Sequence, residues 1–157
     1  MRKILLAGAA MLAIVGTAAA TATTTSTTQI QATVTASCQT PTSTALVSFG
    51  TNPVVNATAT GSVTLQCNFA GDNAGNLAVN FSSLNGGIQN GTSLKTYDLA
   101  FGASSATSTV LKATGLSAPT SLAAANSSEN QPFNLTLTQA PDVAGTYSDT
   151  LTISVSY

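Results

Sequence analysis

Few residues in this chain could do chemistry. It has no His and no Trp, two cysteines, Cys38 and Cys67, and five acids, Asp72, Asp98, Glu129, Asp142 and Asp149. A Ser–His–Asp triad needs the missing imidazole, and a zinc site needs Cys and His that are absent. A glycosidase-type carboxylate pair would have to come from the five acids. Four of these lie in or beside turn-like or strand-edge segments, where acids are ordinary solvated residues. Calcium could use loop oxygens such as those of Asp72 and Asn73, but no stretch has EF-hand spacing. The expectation is a protein that is not an enzyme, with no catalytic residue, no metal and no cofactor.

The cysteines are the exception. Arg2 and Lys3, the apolar run Ile4–Val15 and the small residues Ala18-Ala19-Ala20 read as a secretory signal peptide over residues 1–20, with Ala20-Thr21-Ala22 a second cleavage choice. The run is short for a membrane span. In an exported chain an even Cys count reads as one disulfide, Cys38–Cys67, with two buried thiols as the alternative. Such a bridge would stabilise by about 3–4 kcal/mol in the chain-entropy model. Cleavage would leave Lys95 and Lys112 against five acids, two minus five, a net charge of −3. Nucleic acid is not an expected partner, because phosphate contacts need clustered Lys and Arg.

The elements that must position these groups show as alternation of apolar and polar residues. Charged residues are 6% of the chain, against a usual share of about 25%, so Thr and Ser supply the polar faces. Val63, Leu65 and Cys67 fall on one face of Ala59–Asn68. Leu77, Val79 and Phe81 form a second row, Tyr97, Leu99 and Phe101 a third, and Phe133, Leu135 and Leu137 a fourth. Leu46–Gly50 reads as a short strand, Val110-Leu111 as another, and 117–130 as a long polar loop. Ala70–Asn76, Asn85-Gly86-Gly87, Asn90-Gly91 and Pro141–Gly145 carry turn chemistry. No convincing helix follows the signal peptide. About seven short strands predict an all-β fold, an antiparallel β-sandwich of immunoglobulin-like type, with a jelly roll or small barrel as the alternative.

Two stretches stand out. Residues 146–157 alternate with Tyr147, Leu151, Ile153, Val155 and Tyr157 on one side and Thr and Ser on the other, and the sequence given has no partner strand after them. A long amphipathic strand in that position is an open edge unless something covers it. Asp149 breaks its apolar row, and is read as a rim residue near the strand's start rather than as a buried polar contact. At the other end, after the Thr-rich Thr21–Thr28, Gln29–Ala36 alternates with Ile30, Ala32, Val34 and Ala36 on one face.

The segment Gly145-Thr-Tyr147-Ser-Asp149-Thr150-Leu-Thr-Ile-Ser-Val-Ser-Tyr157 resembles the C-terminal motif of the spore coat protein U domain family, which includes subunits of archaic chaperone–usher pili. Val47-Ser-Phe49-Gly50 is similar to the family's short aromatic–Gly strand, Ala59–Cys67 to the strand with its second Cys, and Tyr97-Asp98-Leu99 to its mid-domain Tyr strand. The resemblance implies an incomplete immunoglobulin-like domain over residues 37–157, ending at its sixth strand, and an N-terminal extension over residues 21–36. The missing strand would come in trans, first from a periplasmic chaperone and then from the next subunit. The donor would be Ile30, Ala32 and Val34, and the acceptor groove would be walled by Leu151, Ile153 and Val155. Strand addition of this kind supplies main-chain hydrogen bonds for affinity and pockets for register, and its head-to-tail repetition makes a filament. The implied function is a structural pilus subunit, exported through the periplasm to a cell-surface fibre used in adhesion and biofilm formation. The implied partners are identical or related subunits forming a homopolymer, a chaperone and an outer-membrane usher. The competing expectations are a non-polymeric spore or envelope coat protein of the same fold, its N-terminal strand folded back on its own domain, and a secreted carbohydrate-binding β-sandwich.

Overall fold

The computed structural model describes residues 29–157; the signal peptide and Thr-rich run expected over residues 1–28 lie outside the described residues. In chain order the elements are β1 (Thr42–Ser43), β2 (Thr58–Leu65), β3 (Ala78–Ser83), β4 (Ile88–Asn90), β5 (Ser93–Lys95), β6 (Tyr97–Phe101), β7 (Ser104–Thr107), α1 (Ser108–Ala113), β8 (Leu116–Pro119), β9 (Glu129–Leu137) and β10 (Leu151–Ser156). Every pairing is antiparallel. One sheet has the order β1-β2-β9-β6-β7, the second β10-β3-β8, and β4-β5 is a separate hairpin. The protein is therefore all-β with antiparallel sheets, and Val34–Tyr157 folds as one unit.

Period-two alternation builds the core directly. Val63 and Leu65 of β2, Val79 and Phe81 of β3, Tyr97, Leu99 and Phe101 of β6, and Phe133, Leu135 and Leu137 of β9 are all buried in one cluster between the two large sheets. Phe81 reaches from the smaller sheet to the rings of Phe101 and Phe133, with centroids 5.3 and 5.7 Å away. Both are tilted or edge-on arrangements that favour aromatic pairs. Gly61, in mid-β2, is needed because a Cβ there would lie 2.7 Å from Val47 Cγ2 and 2.8 Å from Phe133 Cε1.

The structure corrects several local expectations. Val110-Leu111 is helical: Thr107 caps α1 by accepting from the Val110 N–H, and the single turn drops Leu111 fully into the core. Leu46–Gly50 forms no strand, although Val47 and Phe49 still pack against the core. Residues 117–130 are less of a loop than their polarity suggests: β8 pairs with β3 and buries Ala118, and Leu122 is buried where it exchanges backbone bonds with Gly71. The last strand is shorter than expected, with Tyr147 lying in the preceding corner. Gln29–Ala36 takes no strand pairing; extended chain becomes a strand only when a partner satisfies its backbone groups.

Candidate functional site

The two large sheets meet differently on their two sides. On one side β7 lies against β8 and α1 packs on β3, closing the core. On the other, β10 and the chain leading to β1 leave a groove of about 270 Å³, lined by Cys38, Gln39, Thr40, Pro41, Ile153, Ser154, Val155 and Tyr157. β10 pairs through its whole length with β3, Leu151 opposite Ser83, Ile153 opposite Phe81 and Val155 opposite Val79. Among the described residues no strand pairs with its other edge. The inward rows of β2, β3, β6 and β9 are buried, whereas Leu151, Ile153 and Val155 touch the core and remain half-exposed.

The two edges flanking the groove are built differently. Cys38 is bridged to Cys67 by a disulfide, and the flanking backbone bonds Gln39 N–H to Gln66 O (2.9 Å) and Asn68 N–H to Ser37 O (3.0 Å) continue the ladder. From the Cys38–Cys67 pair to the Thr42–Thr64 pair, four steps on the edge face three on β2. That is one extra residue, next to Pro41. A bulge and a Pro are devices that stop an edge from recruiting another strand. β10 has neither: Leu-Thr-Ile-Ser-Val-Ser carries no Pro and no charge.

The corner before β10 is held by polar contacts. The Tyr147 hydroxyl accepts from the Val143 N–H (3.1 Å), four residues upstream, and donates within reach of Ser93 Oγ (3.0 Å). Asp142 accepts from Ser93 Oγ (2.9 Å) and pairs with Lys95 Nζ at 2.7 Å. Bonding to Lys95 first, and to Ser93 second, holds the Asp142 carboxyl down at about 2. Gln89 and Ser148 exchange backbone bonds, and Asn90 Nδ2 donates to Ala144 O. The β4-β5 hairpin thus acts as a bracket for the corner.

Asp149, two residues before β10, is not a solvated rim residue, as its sequence position suggests. It is half-buried and accepts four hydrogen bonds. Oδ2 takes the hydroxyls of Ser83 (2.6 Å) and Tyr97 (2.7 Å), and Oδ1 takes the N–H groups of Asn85 (3.0 Å) and Thr150 (2.8 Å). Burial, and then the bond and charge of Asp149, push the Tyr97 hydroxyl well above its ordinary value. No sequence signal marked Asp149's partners, which lie up to 66 residues away. The only hint was a charged residue in an otherwise apolar row.

The expected donor residues Ile30, Ala32 and Val34 are exposed, Ile30 at 95% and Val34 at 75%. The chain becomes fixed just after them. Asn68 Oδ1 accepts from the Ser37 N–H (2.9 Å), and its Nδ2 donates to Thr35 O (2.8 Å). The sequence reading singled out neither Asn68 nor this clamp.

No protein-family model, curated protein or solved structure matches the chain.

Proposed function

We propose that this protein is a structural subunit of a surface fibre, assembled by strand donation between copies. The observation that carries the reading is the half-exposed Leu151–Ile153–Val155 row on an unprotected edge beside a groove. An immunoglobulin-like sandwich has one sheet ordered A-B-E-D and a second ordered C-F-G. The order β1-β2-β9-β6 follows the first pattern and β3-β10 follows C-F, so the open edge of β10 corresponds to the position of strand G. The Tyr147 hydroxyl bonded back to the Val143 backbone resembles the tyrosine corner that precedes strand F in that fold. Both support an immunoglobulin-like domain awaiting a seventh strand.

The proposed donor is the Gln29–Ala36 segment of another copy, whose exposed Ile30 and Val34 supply an apolar row to match. Fully burying each would contribute roughly 1.5–3 kcal/mol. A donor entering the groove of the next copy is a heterologous contact that propagates without closing. The reading places the protein outside the cell after passage through the periplasm, with a chaperone and an usher as transient partners and a fibre serving adhesion and biofilm formation as the product. Deleting residues 21–36 tests it. The expected result is a domain that folds, shown by a cooperative melt, and forms no fibres by electron microscopy. Normal fibres from the deletion would overturn the proposal.

A further inference from the structure

The groove is useful only if β10 sits in one register. Side chains alternate along a strand, so a one-residue slip of β10 along β3 would turn Leu151, Ile153 and Val155 to the outside and Thr152 and Ser154 inward. A two-residue slip would keep the faces but move every pocket by about 7 Å, at roughly 3.3–3.4 Å per residue. The side chains of β10 resist such slips weakly. Its inward row is half-exposed, and Leu, Ile and Val in succession are similar in size. Its outward row, Thr152, Ser154 and Ser156, is a run of small hydroxyls with one cross-strand contact, Asn80 Nδ2 donating to Ser156 Oγ at 3.2 Å. Something outside the strand must set its position.

We infer that Asp149 is the register pin of β10 and thereby a positioning residue of the acceptor groove, an inference that rests on the strand-acceptor reading only in its last step. The carboxylate gathers four donors from separate parts of the fold. Ser83 is the last residue of β3 and the one directly opposite Leu151. Asn85 begins the turn after β3. Tyr97 opens β6 in the opposite sheet. Thr150 belongs to the approach to β10 itself. These donors are themselves fixed. Ser83 Oγ accepts from the Gly86 N–H at 2.7 Å, and Tyr97 is 1% exposed, its N–H bonded to the fully buried Ser108 hydroxyl at 3.2 Å. Ser108 in turn donates to Gly86 O at 2.8 Å. A charged acceptor makes hydrogen bonds about twice as strong as neutral ones.

Sliding β10 by even one residue would carry the carboxylate about 3.3–3.4 Å along the strand, beyond the reach of the Ser83, Asn85 and Tyr97 donors together. The same approach is also held by the Gln89–Ser148 backbone pair and by Leu84 N–H donating to Thr150 O (3.0 Å); Asp149 adds to these the side-chain bonds that a slip of β10 would break. Because the contact reaches Tyr97 across the sandwich, it references β10 to the opposite sheet as well as to β3.

The test is a register map in the full chain. Cys is introduced at Asn80 together with Thr152, Ser154 or Ser156, the natural disulfide being kept, and cross-links are located by mass spectrometry after mild oxidation. Asn80 faces Ser154 in the native register, so the 80–154 link should dominate in the parent. In Asp149→Ala and in Tyr97→Phe the share of 80–154 relative to 80–152 and 80–156 should fall, about tenfold in Asp149→Ala for the loss of hydrogen bonds to a charged group. Asp149→Asn keeps the shape and one acceptor oxygen for the Asn85 and Thr150 N–H groups, but its Nδ2 can only donate, so it should restore part of the share, between Asp149→Ala and the parent. An unchanged link distribution in folded Asp149→Ala overturns the inference. If Asp149→Ala does not fold, Tyr97→Phe decides alone: a shift supports the pin and no shift overturns it. Fibre formation by the parent chain, followed by electron microscopy, separates the two proposals. Fibres with no register shift refute the pin and leave the strand-acceptor reading standing. A register shift in a chain that makes no fibres does the reverse.

Discussion

Replacing Val155 by Asp should separate folding from assembly. Val155 lies opposite Val79 and contributes to the half-exposed wall of the groove. Burying a whole Val side chain is worth roughly 1.5–3 kcal/mol, so the part already covered accounts for about 1 kcal/mol. An Asp at the same place can keep its carboxylate at the open lip of the groove, and the isolated subunit should lose only about 1–2 kcal/mol. Filling the groove changes the situation. The carboxylate then loses its water with no partner nearby, a penalty of several kcal/mol. Taking about 4 kcal/mol, at 1.4 kcal/mol per tenfold, assembly should weaken by about 10³. Ser154→Asp places the same charge on the outward face of the same strand, where surface substitutions stay within about 0.5 kcal/mol, and should assemble nearly as the parent does. Urea melts give the folding term. Sedimentation and electron microscopy of purified protein give the assembly term. Equal effects of the two substitutions on assembly would refute the assignment of faces and of the groove.

Gly61→Ala should destabilise the subunit by about 1–3 kcal/mol in urea melts, the usual cost of overpacking, because the new Cβ meets Val47 and Phe133 at contacts no side chain tolerates. The folded-state pKa of Tyr97 is raised by burial and then by Asp149, so its contribution is intact below the ordinary value of 10.0 and declines as pH rises above it. Stability should fall there by up to about 1.4 kcal/mol per pH unit, and urea melts of Tyr97→Phe should lack that slope. The Asp142 carboxyl is depressed from 3.8 to about 2, so its pairing with Lys95 helps stability above 3.8 and fades as pH falls toward 2. The Tm difference between the parent and Lys95→Met should accordingly shrink to nothing across that window.

Much of the fold is legible in four rows of residues. Val63-Leu65, Leu77-Val79-Phe81, Tyr97-Leu99-Phe101 and Phe133-Leu135-Leu137 are all core, because strand alternation is a local property. What escaped reading depends on distance. Val110-Leu111 looks like any short apolar pair, and only the cap from Thr107 and the core position open to Leu111 make it helical. Val47 and Phe49 alternate as a strand would, yet that stretch finds no ladder to join. Ala118 is buried because β3 offers β8 a free edge, and Leu122 because it bridges to Gly71, neither of which the Ser- and Ala-rich sequence announces. The Leu151–Ile153–Val155 row could be seen, whereas the bulged edge across the groove and the bonding of Asp149 come from residues brought together by the sheets.

The disulfide has a mechanical meaning if the protein works in a fibre. Tension arriving along the Gln29–Val34 arm would enter the domain at Thr35, where Asn68 grips the backbone, and three residues later at Cys38. Without the bridge, that load would fall on the Ser37–Asn68 and Gln39–Gln66 backbone bonds and then on β1, which has only two paired residues, Thr42 and Ser43, and the edge would peel one bond at a time. The Cys38–Cys67 link lies ahead of that weak strand and diverts the pull into the chain just beyond β2, whose eight residues are paired with β9. A reduced subunit could therefore keep its fold at rest and still be the link that parts first under load.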